Sequence, residues 1–340
     1  MPNWGDVQNE INQEILSHQA MAQQALDSVR KKYLGQLHQR TTRNIIAYYS
    51  GWLSKPQIVG AEINDEDKNG FMMAVHKLDR SQGLDLILHT PGGDIASTQS
   101  IVDYLQKMFD RNIRAIVPQI AMSAGTVMAC SCREILMGKQ SNLGPIDPQV
   151  RGVPAQGVIR EFKQAVKEIK SDPARAAVWQ PIIGKYHPTF LGQCSNAIDW
   201  SNGFVREQLS KVMFAGEPDA DAKASKIARR LADYRSHKAH SRHIHADECI
   251  KMGLKVVLIE EDQQLQDLVL TVHHCYMHAL MNSAAFKIIE NHEGARLIKQ
   301  QVMALAPGGA IPLQPRQGME DSGGPGSAPG STPLSPVGTA

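Results

Sequence analysis

Ser123 stands in the run Ala121-Met122-Ser123-Ala124-Gly125-Thr126, directly after an apolar stretch and before a small-residue segment that reads as a buried helix. A hydroxyl on such a turn lies at a helix N-terminus, whose partial positive charge favours a developing oxyanion. The same position also suits a serine that merely caps the helix. About 30 residues earlier, His89-Thr90-Pro91-Gly92-Gly93-Asp94 ends the apolar stretch LDLILH. Two adjacent glycines let a backbone approach a ligand closely and leave N–H groups free to donate. No Gly-Lys-Ser/Thr follows, so this turn is not a phosphate-binding loop. A third candidate, HKAHSRHIH over 237–245, holds four histidines. Their spacing could put two ligands on one helical face, yet no cysteine or carboxylate completes a metal motif. It reads as a basic surface or packing segment, and no metal or other cofactor is expected. Cys130 and Cys132 read as small core residues, and Met72, Met73, Met122 and Met128 as core filler.

The elements that must position these residues follow from the apolar pattern. LDLILH (84–89) is a continuous apolar run of the kind buried on both faces of a parallel sheet. Further strands are predicted at 44–51, 113–118, 134–137 and 255–260, with helices at 65–78 and 97–109 between them. This alternation over 44–150 is the pattern of an α/β layer fold. GPIDPQ (144–149) reads as a rigid turn, and after it the chain is mostly helical, near 157–170, 189–214 and 219–234. An amphipathic helix is predicted over 6–38, with Val7, Ile11, Ile15, Leu26, Val29 and Tyr33 on one side. A long helical region is predicted over 262–303. From Pro307 onward there are 7 prolines, 8 glycines and no aromatic residue, a composition that cannot form a core.

Composition narrows the function classes. Thirty-six basic against 34 acidic side chains leave a formal charge of +2, too small a bias for a nucleic-acid-binding surface. No run of 18 apolar residues exists, and the N-terminus lacks a basic region followed by an apolar one, so neither a membrane span nor a secretory signal is expected. Five scattered cysteines do not make a disulfide framework, and a reducing cytoplasm is the simplest location.

A Gly-Gly turn after one strand and a Ser-Ala-Gly turn after the next resembles the Clp protease and crotonase superfamily. The match is closer to the serine dehydrogenase proteinase family, relatives of Clp protease and signal peptide peptidase A. It rests on LDLILHTPGGD, IVPQIAMSAGTVMAC, EILM and LGPIDPQVRGVPAQGVI, nearly continuous over 84–159. A weaker echo is AHSRHIHADECIKMGLKV at 239–256. The resemblance implies a Clp/crotonase-like α/β domain over 44–260. An N-terminal helical arm (1–43), a helical C-terminal extension (261–306) and a disordered tail (307–340) would surround it. It further implies a serine peptidase that hydrolyses peptide bonds through an acyl-enzyme on Ser123. The N–H groups of Gly93 and Ala124 would form the oxyanion hole, with Gly92 shaping the turn. A peptide or protein substrate and a homo-oligomer are the implied partners. No ATPase motif is present, so the hydrolysis would be ATP-independent. A crotonase-type acyl-CoA enzyme and a catalytically silent assembly subunit are the rival readings.

The base is harder to place. Clp proteases carry a histidine about 25 residues past the serine; here that point falls in GPIDPQ, and the next histidine is His187, 64 positions on. A Ser–Lys dyad, as in signal peptide peptidases, is therefore the expectation. A lysine takes a proton only when neutral, which requires burial beside apolar residues. On the helix near 157–170, Val158, Ile159, Phe162, Ala165, Val166 and Ile169 form an apolar face, and Lys163 and Lys170 lie at its border. Lys163 is the expected base, with Lys170 and then Lys167 as alternatives.

Overall fold

The computed structural model describes residues 4–18, 21–301, 303–306 and 309–312. Its centre is a seven-stranded sheet. Strands β1 (Asn44–Ser50), β2 (Leu84–His89), β3 (Ile113–Val117), β4 (Ile135–Met137) and β5 (Val256–Leu258) run parallel. Strands β6 (Ala285–Asn291) and β7 (Arg296–Gln300) complete it as an antiparallel hairpin, giving the order β5-β4-β3-β2-β1-β6-β7. Every residue of β1 and β2 is buried, as expected for strands covered on both faces.

One face of the sheet packs on α3 (Asp67–Val75), α4 (Ile95–Met108), α5 (Ala124–Cys130) and the helices at 190–208, 220–232 and 246–252. Leu84, Leu86 and Leu88 point into this layer, while Ile87 points into the other. That second layer consists of helices α1 (Trp4–His18) and α2 (Ala22–Thr41) and a long helix at Gln263–Asn282, with Tyr49, Val272 and Tyr276 at its centre. The single helix expected over 6–38 is thus two. The second starts afresh where the Gln24 side chain accepts from the Met21 N–H. Asp85, inside β2, is buried between Arg43 and Arg114, each of which donates to it at 2.7–2.8 Å.

The helical region expected to run to 303 ends at Asn282. The Phe286-Lys-Ile-Ile stretch, inside that expected helical region, instead lies beside β1 as a strand, a setting its bulky and β-branched side chains favour. Asn291 closes the hairpin by accepting from the Glu293 and Ala295 N–H groups, and Gly294 takes the positive φ of 96°. Met72 and Met73 are exposed, not core; Met122 and Met128 are buried. Residues 303–306 pair with 309–312 in a small hairpin of their own. The segment at 307–340, read from composition as disordered, otherwise lies outside the described residues.

Candidate active site

A minor three-stranded sheet, off the main one, organises the site. Its strands are Ile120–Ala121, Asn142–Leu143 and Ile244–His245. Ala121 pairs with Leu143, and Leu143 pairs with Ile244. Each strand delivers one loop to the same place: Ser123 follows the first, the GPIDPQ turn follows the second, and the histidine-rich segment precedes the third. The first strand is tied to β2 by two backbone bonds, Thr90 N–H to Ile120 O and Met122 N–H to Thr90 O. Thr126 completes the tie by bonding both Ala121 O and Gly144 at 2.9 Å.

Ser123 adopts φ 51°, ψ −115°, a conformation costly for a residue with a Cβ, on the order of 1–3 kcal/mol. Its hydroxyl does not cap α5. The capping role that the sequence allowed is therefore not what holds a serine here. Instead Ser123 borders a cavity of about 610 Å³ together with Gly92, Gly93, Ala124, Ile146, Trp200 and His240.

The Gly-Gly turn lies against the serine turn so closely that a Cβ on Gly92 would sit 2.7 Å from Met122 O. On its other side, Ile63 N–H donates to Gly92 O at 2.8 Å and Asp94 N–H donates to Ile63 O at 2.9 Å. A Cβ on Gly93 would meet the Ile63 nitrogen at 2.3 Å, so neither position admits a side chain. The Gly93 and Ala124 N–H groups have no acceptor among the described residues, and both residues line the cavity. Gly125 makes a third close approach, with room for no Cβ against Thr90 Cγ2 at 2.5 Å.

His240 is 31% exposed and its Nδ1 lies 2.8 Å from Oδ1 of Asp147, whose side chain is only 2% exposed. Gln149 donates to the other carboxylate oxygen at 2.9 Å. A histidine that donates through Nδ1 to a carboxylate keeps its lone pair on Nε2. Sequence reasoning missed both residues. Asp147 sat unremarked inside a recognised rigid turn, and His240 was one of four histidines without a distinguishing neighbour. Of the other three, His237 is buried with Nε2 on Arg230 O, and His243 and His245 are exposed. Among the described residues no cluster of three or more metal-ligating side chains exists.

The structure does not bring Lys163 to Ser123. Lys163 and Lys167 line a separate cavity with Gln156, Arg160 and Tyr234, and Lys163, Lys167 and Lys170 are all exposed. The buried face of the helix at Ala155–Ser171 is Ala155, Val158 and Ala165. At 100° per residue, that face turns Lys163 roughly 130° away from its centre, toward solvent. All five cysteines are buried free thiols, Cys130 and Cys132, expected in the core, among them.

Two uncharacterized proteins of Methanocaldococcus jannaschii are similar to part of the chain. One is 35% identical over 102 residues, covering 30% of this chain and 35% of the relative. The other is 30% identical over 110 residues, covering 32% and 37%. The chain thus spans about a third of the length of the curated relatives it matches. A family model of the ClpP-like SDH-type serine proteinases matches residues 13–180, the segment that contains the Gly-Gly turn, Ser123 and Asp147.

Proposed function

We propose that the protein is a serine peptidase in which Ser123 is the nucleophile, His240 the general base and Asp147 the carboxylate that orients the base. The observation that carries this reading is the strained, non-capping Ser123 bordering a cavity that is also lined by His240, whose Nδ1 is held by the buried Asp147. Ser123 Oγ attacks the carbonyl carbon of a bound peptide and passes its proton to His240 Nε2. The carbonyl oxygen becomes an oxyanion, received by the Gly93 and Ala124 N–H groups. Collapse breaks the C–N bond, and the imidazolium returns the proton to the leaving amine. Water, deprotonated by His240, then attacks the acyl-serine; the C–Oγ ester bond breaks, the acid leaves and the imidazolium returns the proton to Ser123 Oγ. Asp147, 2.8 Å from His240 Nδ1, orients the ring and stabilises the imidazolium. No step uses a cofactor or ATP.

Histidine is favoured over lysine as base because Lys163 is exposed and borders another cavity. An acyl-CoA lyase or isomerase would have no use for a strained serine hydroxyl at this point. The substrate is a peptide or protein segment able to reach the cavity, and the protein works as a homo-oligomer. Its location is cytoplasmic; among the described residues no helix is long and apolar enough to cross a membrane. Labelling by a fluorophosphonate probe, lost in Ser123→Ala and in His240→Ala but kept in Lys163→Ala, is the expected result. Labelling that survives Ser123→Ala would overturn the reading.

A further inference from the structure

A buried ion pair stands behind the Gly-Gly turn. Lys287 on β6 and Asp67 on α3 are both fully buried, with Nζ 2.9 Å from each carboxylate oxygen. Lys299 adds a second, weaker cation at 3.2 Å. Buried ion pairs add little net stability over an apolar pair of the same volume, so the pair needs a reason other than stability.

Its remaining bonds supply one. Lys287 Nζ also donates to Glu62 O at 2.7 Å. Asp67 Oδ2 accepts from the Asn64 N–H at 3.1 Å and from the Tyr48 hydroxyl at 2.8 Å. The pair therefore grips residues 62 and 64, on either side of Ile63. Ile63 is the residue whose N–H and C=O hold Gly92 O and the Asp94 N–H. Beside it, Thr90 Oγ1 accepts from the Gly92 N–H at 3.1 Å. The Ile63 bonds hold the Gly92–Gly93 peptide, whose plane fixes the direction of the Gly93 N–H, and the Gly93–Asp94 peptide after it.

We propose that Lys287 is a positioning residue for the oxyanion-binding turn, acting with Asp67 and Tyr48 through the Glu62–Asn64 segment. It lies 107 positions beyond the end of the family-matched segment, which stops at residue 180. The inference rests on the serine peptidase reading above. Lys287 touches no substrate; it sets where one donor points. A donor displaced by a fraction of an ångström weakens transition-state binding more than ground-state binding, because only the oxyanion needs that geometry.

The test compares wild type with Lys287→Met, Tyr48→Phe and the charge-neutral double variant Lys287→Met/Asp67→Asn. Each is assayed for fluorophosphonate labelling rate, for kcat and KM on a fluorogenic peptide that the wild type cleaves, and for binding of the boronate of that peptide. In Lys287→Met, kcat falls about tenfold, boronate affinity falls by a similar factor and KM stays within about twofold. Tyr48→Phe shows the same split with a smaller loss. The double variant regains the melting temperature that Lys287→Met loses, but not kcat. If kcat returns to the wild-type value together with the melting temperature, Lys287 is only structural and the inference is overturned. A folded Lys287→Met with wild-type kcat and boronate affinity overturns it as well. A wild type without Ser123-dependent labelling overturns the peptidase reading, and this inference with it.

Discussion

His89 ends the strand that delivers the Gly92–Gly93 turn, while His240 borders the cavity which that turn lines. The two rings live under opposite terms. His240 reaches solvent on one side and a buried carboxylate on the other. His89 is fully buried, and neither of its ring nitrogens has a partner among the described residues. It is packed among the rings of Trp52, Tyr49 and His273, at centroid distances of 4.6, 5.3 and 5.3 Å. Burial holds His89 well below the ordinary histidine range and pushes His273 down to about 3. A histidine does acid–base chemistry only when it has both an orienting partner and access to substrate; His89 has neither. What it offers is a flat, neutral ring that fills the layer.

The sharpest way to break this contrast is to remove each ring in turn. His240→Ala, like Ser123→Ala, lowers kcat/KM about 10⁴-fold or more without moving the melting temperature. Asp147→Asn turns the base toward the wrong tautomer and lowers kcat by roughly 10²–10⁴, as measured on the same peptide. An Asp147→Asn enzyme with wild-type kcat would show that the carboxylate serves the turn alone.

Acid separates the two environments next. His89 and His273 stay neutral when folded, whereas the unfolded chain binds protons at ordinary histidine values near 6.5. The unfolded state therefore gains protons as pH falls below about 6.5, and the folded state loses stability through that window. At pH 5 the loss is about 2 kcal/mol for each ring held neutral, read from urea melts at pH 7.5 and 5. His89→Phe shrinks that difference, and an unchanged difference would mean that other groups carry it. The smallest effect expected is that of Lys163→Ala, with kcat/KM within about twofold of wild type, because its side chain stands in solvent.

How legible these features were in the sequence depends on the length of the element that carries them. The parallel strands showed as apolar runs, and β2 runs over the residues of LDLILH, 84–89. The Gly-Gly and Ser-Ala-Gly turns were visible because backbone crowding leaves glycine as the residue that fits at 92, 93 and 125. The His240–Asp147 pair was not visible. It joins residues 93 positions apart through strands of two residues, too short to show any periodicity. The hairpin of β6 and β7 was hidden for a different reason. Phe286, Ile288 and Ile289 suit either period, and sheet pairing with β1 decided between them. On the helix that carries Lys163, the apolar stripe was found, but only Ala155, Val158 and Ala165 are buried, and that shifts its centre.

The order in which the minor sheet recruits its strands has a consequence for synthesis. The segments at 120–121 and 142–143 leave the ribosome roughly a hundred residues before 244–245. A nascent chain that has emerged to residue 200 already carries Ser123 and Asp147 but not the histidine that would activate the serine. Lys287 emerges later still. On the proposed chemistry, a chain broken off before its C-terminal third is made has no means of cutting its neighbours. Delayed delivery of the base thus does for this protein what a removable pro-segment does for a zymogen.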